Sequence, residues 1–188
     1  SHDEKRLKQI NVPFVLSTIS MFEGVDKKIY SSVSVDDVKE SKKAVDCLCE
    51  YGHEKIVMLA AQPWDESISG LRVQGYKKAL EERQIPINEN LIRYTFQEET
   101  AFTMENGYKL MKELLESDEE FTAVYAISDS MAIGASKAIL ESGKKIPEDY
   151  SVMGFDGLDI AYYYNPSIST IRQPVEDMAK ETSKILFD

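Results

Sequence analysis

From residue 36 onward the chain alternates short apolar runs with helix-patterned stretches, at a spacing of roughly thirty residues. Lys55 to Ala61 is apolar after its first residue, as a strand buried on both faces must be. Leu91 to Phe96, Thr122 to Ile127 and Tyr150 to Phe155 are the companion runs. Helical stripes fill the intervals. Asp36-Asp37 can cap a helix carrying Val38, Val45 and Leu48 on one face, ended by Gly52. Ser67 to Arg83 would bury Leu71, Tyr76, Ala79 and Leu80 before Pro86 breaks it. Ala101 to Ser117 would bury Met104, Tyr108, Met111, Leu114 and Leu115. Ser128-Asp129 caps a helix with Met131, Ala135, Ala138 and Ile139 inward, closed by Gly143.

This alternation predicts an α/β fold in which a Rossmann-like parallel sheet carries helices on both faces. The two ends read differently. Leu7 to Ile10 resembles the end of a helix, Val12 to Leu16 a strand, and Ser31 to Val35 a short extended stretch. After Pro174, a favoured first-turn residue, a helix would turn Val175, Met178, Ala179, Thr182, Ile185 and Leu186 inward. These end pieces cannot close a sheet alone, so they read as part of a second lobe whose opening strands lie upstream of Ser1.

Composition narrows the partners. A net charge of −11, with lysines interspersed among acids as in Lys39-Glu40-Ser41-Lys42-Lys43, gives no groove for nucleic acid. No apolar run approaches the ~20 residues of a membrane span. The polar start, Ser1 to Arg6, has neither an initiator Met nor the pattern of a signal peptide, so the chain reads as a piece of a longer protein. Cys47 and Cys49 stand two apart on a predicted helix and point to different sides. They read as half-buried thiols in a reducing cytosol, neither a disulfide nor a metal pair.

Ligands of open parallel sheets bind beyond the carboxyl ends of the strands. That rule selects Gln62 to Ser67 with Arg72 one turn on, Gln97 to Phe102, Ser128 and Asp129, and Asp156, which ends the run Val152 to Phe155. Gln173 lies at the expected crossover beside them. An arginine, acids and an aromatic ring on one edge suit a neutral polyol, whose hydroxyls carboxylate and guanidinium grip while the ring stacks on the sugar face. Trp64 lies in the first of these loops as a lid residue or a lobe contact. His53 follows Gly52 and so belongs at the opposite, amino-terminal edge, as a helix-end cation or packing residue. There is no nucleophile elbow, no P-loop and no G-x-G-x-x-G, so no enzyme and no cofactor are expected.

Taken together, the motifs resemble the effector-sensing core of the lactose-repressor (LacI/GalR) family of bacterial transcription regulators. Tyr51-Gly52-His53-Glu54-Lys55-Ile56 resembles that family's "LGHxxI" step, Arg72 to Tyr76 its "RxxGY", and Ser128 to Ala135 its "SDxMAxGA". Ile146 to Val152 resembles "IPxDxSV", and Ser34 to Asp37, Gly154 to Gly157 and Pro166 to Pro174 follow in order. Each is weak alone; collinear over most of the chain they are specific.

The resemblance implies a periplasmic-binding-protein-like type I core of two lobes, one nearly complete (35–173) and one partial (1–34 and 174–188). It implies an effector gripped by Arg72 and Asp156, stacked on Phe102, and touched by Ser128, Asp129 and Gln173. It further implies a cytoplasmic homodimer that reads operator DNA through an N-terminal helix-turn-helix absent from this chain. Tyr162-Tyr163-Tyr164 cannot all face the core, and at least one is a candidate for the dimer interface. One departure stands out. Where many members carry a sugar-touching acid, this chain has Ser17-Thr18-Ile19-Ser20, which leaves open both the grip and the sugar. The rival reading is a periplasmic sugar-binding protein of a transporter. On the regulator reading, Arg72→Ala or Asp156→Ala is expected to abolish effector binding in a protein that stays folded.

Overall fold

The computed structural model describes residues 7, 9–18, 30–61, 67–95 and 101–187. The apolar runs become the parallel strands β3 (Ile56–Ala60), β4 (Ile92–Tyr94), β5 (Ala123–Ala126) and β6 (Ser151–Asp156), joined by β7 (Ser169–Arg172). Their order is β4-β3-β5-β6-β7, and every pairing is parallel. β3 and β5 are buried along their whole length, which is why they carry no polar face. A second, two-stranded parallel sheet pairs β1 (Val15–Ser17) with β2 (Ser31–Val33).

Helix α1 (Asp37–Glu50) packs against α2 (Ile68–Glu82), and α3 (Met104–Leu115) against α4 (Asp129–Glu141). The chain steps from β3 outward to β4, then back across β3 to β5. With right-handed crossovers, this reversal sends α2 and α3 to opposite faces of the sheet. It also opens a crevice between the carboxyl ends of β3 and β5, the switch point at which doubly wound sheets bind ligands. The short helix α5 (Asp159–Tyr163) joins β6 to β7, and α6 (Val175–Phe187) leaves β7 to pack on β1 and β2.

Caps form where the sequence offers them. Asp36 accepts from the Lys39 amide at 3.0 Å, and the side chains of Ser67, Thr103 and Ser128 accept from amides three residues on.

Two helix faces differ from the periodicity. On α3, Asn106, Gly107, Leu110, Met111 and Leu114 are buried, whereas Met104 is exposed and Tyr108 half-buried. The cause is a close crossing with α4. A side chain at Gly107 would strike the Met131 backbone, and one at Gly134 the Met104 carbonyl. Backbone contact through glycines, not the apolar stripe, sets the rotation of this helix. On α6 only Met178 is buried among the six positions expected inward, and Val175, Ile185, Leu186 and Phe187 are exposed. Among the described residues the sheet beneath α6 has two strands, too few to cover that face. At the start of the chain the strand begins at Val15, not Val12, which is exposed.

Candidate functional site

The crevice is a cleft of about 250 Å³ lined by Thr18, Ile68, Arg72, Phe102, Ser128, Ser130, Asp156 and Gln173. Five of the six residues singled out from sequence therefore meet there: Arg72, Phe102, Ser128, Asp156 and Gln173. The sixth, Asp129, does not line the cleft; it is fully buried below it. Trp64, Gln62 and Gln97 fall outside the described residues.

Arg72 is the centre of the arrangement. It sits in the first turns of α2, 4% exposed, with its guanidinium held on several sides. Nε donates to Asp37 Oδ1 at 2.8 Å, and Nη1 donates to the Ile127 carbonyl at the end of β5. Asp156 Oδ1 lies 3.7 Å from Nη1. Beneath the charge, the Phe155 ring centre is 3.6 Å from Cζ, a cation–π contact. The planar fork, anchored on its Nε side, is thus oriented before any ligand arrives.

Asp156 ends β6 with φ 122°, and Thr18 has φ 70°. Neither is glycine, and Thr is β-branched, so both conformations are strained. Such strain concentrates where a side chain must be aimed. Gln173 fastens Asp156 twice: its amide donates to the Asp156 carbonyl at 3.1 Å, and Nε2 donates to Oδ1 at 2.8 Å. Burial pushes the Asp156 carboxyl above the usual carboxylate range, against the opposing pull of Arg72 and the Gln173 hydrogen bond. Asp37 is likewise raised by burial, partly offset by Arg72. Asp129 is also raised by burial. One guanidinium therefore stands among three buried or half-buried acids, and the described lining contains no Lys or His. That balance disfavours an anion and favours hydroxyl groups, which donate to carboxylate and accept from guanidinium.

Sequence reasoning missed Asp37, which is 3% exposed and holds Arg72 from α1. The doublet Asp36-Asp37 was a signal: Asp36 alone serves as the cap, which leaves its neighbour without a local role. Because Arg72 neutralises Asp37, removing its side chain strands a buried charge. Arg72→Ala is therefore not the folding-neutral variant that sequence alone suggested. Ser130, Ile68 and Thr18 were also not assigned to the site beforehand. Thr18, however, lies in the very segment where the resemblance placed an altered grip.

His53 is at the amino-terminal edge, as its position after Gly52 required. It clasps Thr122 Oγ1 through Nδ1 and Ser151 Oγ through Nε2, both at 2.9 Å. Burial lowers its pKa, so it serves as a neutral clasp between β5 and β6 and not as a helix-end cation. A larger groove of about 400 Å³ lies at this same edge, lined by Glu54, Lys55, Ile85 and Glu120 among others. There Lys55 and Glu120 are exposed and pair with each other at 2.5 Å, while Glu119 accepts from the Asn88 and Asn90 side chains. The convergent buried groups are at the opposite edge, and that edge is the candidate site. Among the described residues no cluster of His, Cys, Asp and Glu could hold a metal ion, and no helix is long and apolar enough to cross a membrane.

Known proteins share this framework. Residues 45–188 match the periplasmic binding protein-like domain family. The chain is 38% identical over 184 residues to the HTH-type transcriptional regulator MalR of Clostridium butyricum, covering 98% of this chain and 53% of that protein. It is 32% identical over 182 residues to the HTH-type regulator CelR of Thermobifida fusca, covering 97% of this chain and 51% of the regulator. Among solved structures, a complex of transcriptional regulator CelR with cellobiose superimposes with a TM-score of 0.82 at 31% identity, covering 94% of this chain and 52% of that one. A LacI family regulator from Enterococcus faecium with bound ribose gives 0.82 at 31% identity, covering 100% and 67%. The chain spans about half the length of the curated relatives it matches. By sequence and by fold, it belongs to the periplasmic-binding-protein-like family, in the branch formed by the LacI-type transcriptional regulators.

Proposed function

We propose that this chain is the effector-sensing part of a transcriptional regulator, and that its cleft takes a neutral polyhydroxylated molecule, a sugar or sugar derivative. The observation that carries the reading is the pre-oriented Arg72 fork at the switch-point crevice, faced by Asp156 and rimmed by Phe102, Ser128 and Gln173. Carboxylate and guanidinium can share adjacent hydroxyls while the half-exposed Phe102 ring covers an apolar sugar face. Residues 35–173 then form one lobe; 1–34 and 174–188 contribute to another, completed by chain outside this sequence. Effector binding between the lobes biases a cytoplasmic homodimer between two states that differ in operator affinity. DNA is read by a separate helix-turn-helix, and no reaction is catalysed. The relatives named as transcriptional regulators support this branch over a transport-binding protein.

The test is calorimetric titration of the longer protein with cellobiose and ribose, alongside a sugar phosphate as the anionic control. The expected result is binding of a neutral sugar, lost in Asp156→Asn, and an operator affinity that shifts when that sugar is present. Binding of the anion in preference to every neutral sugar would overturn the polyol assignment. Binding without any effect on DNA affinity would overturn the regulatory one.

A further inference from the structure

Asp129 lies outside the cleft, yet its carboxylate touches the segments that furnish it. Oδ2 accepts from the Leu158 amide at 2.7 Å, and Oδ1 accepts from the Thr170 hydroxyl at 2.5 Å. The Thr170 oxygen in turn accepts from the Gly157 amide at 3.2 Å. One buried side chain thus joins the first turn of α4, the turn after β6, and β7. Ser128, Asp156 and Gln173 stand immediately beside these three segments. The strand is shaped to admit the carboxylate, because a side chain at Gly154 would run into Asp129 Oδ1. The residue facing the cleft from this turn is Asp156, held at φ 122°. A non-glycine residue keeps such a conformation only where its surroundings over-determine it.

We propose that Asp129 is a positioning residue of the effector site: through the Leu158 amide and the Thr170 hydroxyl it holds the turn that presents the Asp156 carboxylate to the cleft. The proposal rests on reading the cleft as that site. An apolar side chain could fill the same space, but it would leave the Leu158 amide without its acceptor and the Thr170 hydroxyl with only a long contact to the Ile171 carbonyl, at 3.4 Å. The carboxylate is needed for its two oxygens, which reach two different segments at once. The start of α4 also favours its negative charge.

The experiment compares Thr170→Val with Thr170→Ser in the longer protein that contains this chain. Two quantities are read: hydrogen exchange at the Gly157 and Leu158 amides, and affinity for cellobiose and ribose well below the melting temperature. Valine keeps the shape but removes the hydroxyl; serine keeps the hydroxyl. Thr170→Val is expected to exchange faster at both amides and to bind sugar roughly tenfold more weakly, with Thr170→Ser restoring both. Asp129→Asn is expected to repeat the valine result. If Thr170→Val lowers only the melting temperature, with exchange at the two amides and affinity as in wild type, the inference is wrong. If the wild type binds neither sugar while exchange separates valine from serine, the positioning role stands and the sugar reading falls.

Discussion

Arg72 and its partners show how a binding group and a structural group can be one residue. Its ion pair with Asp37 is almost wholly buried. Arg72→Ala is expected to cost about 3–5 kcal/mol of stability through the stranded Asp37 charge, as well as to lose the ligand. Denaturant unfolding checks the first effect, and adding Asp37→Asn should recover much of it. Asp156 gives a pH signature. Its carboxyl is raised in the free protein by burial, while ligand hydroxyls donating to it would favour the ionised form. Affinity should therefore be full at neutral pH and fall as pH drops through that raised pKa, above the ordinary Asp value of about 3.9. Titrations across the acid range test this, and an affinity that stays constant down to the ordinary Asp value would contradict it. Arg72, Ser128, Phe102, Asp156 and Gln173 were legible because each follows a strand end or lies at a crossover, and sheet topology puts those places together. Asp37 was not legible as a site residue, nor was the true place of Asp129. Their roles are set by side-chain contacts 35 and 41 residues away in sequence, with Arg72 and with Thr170.

At the scale of elements, the buried strands and the caps could be read closely, while β7, which the sequence presents as a polar crossover segment, and the faces of two helices could not. β3, β5 and β6 fall inside the apolar runs or within a residue of their ends, since a doubly covered strand has no other composition open to it. The rotation of α3 escaped the periodicity because glycines, which carry no hydrophobic signal, set its contact with α4. Gly134→Ala should expose this directly: a methyl group would meet the Met104 carbonyl. The helices would have to separate, at a cost of about 1–3 kcal/mol or more. Thermal unfolding measures the loss, and an unchanged melting temperature would contradict the tight crossing. For α6 the apolar stripe was real, but inwardness depends on what lies opposite, and among the described residues the stripe meets a two-stranded sheet.

For the molecule as a whole, α5 presents a surface that the core does not need. Tyr162 and Tyr163 are 72% and 80% exposed, with their rings edge to face at 5.2 Å, and Leu158 and Ile160 are exposed beside them. If this face joins two copies, Tyr163→Glu in the longer protein should shift its sedimentation towards monomer without altering its melting profile when dilute. A different consequence follows from the small sheet. β1 and β2 precede the five-stranded unit and α6 follows it, yet α6 packs on both strands. Their contact closes a loop that encloses every other strand, and the loop entropy has to be met before that contact contributes anything. The five-stranded unit needs no such closure to assemble. The amides of β1, β2 and α6 should therefore exchange with solvent through partial opening, ahead of those in β3 and β5. The last structure to form would be the first to be lost, on the side of the cleft that Gln173 connects to α6.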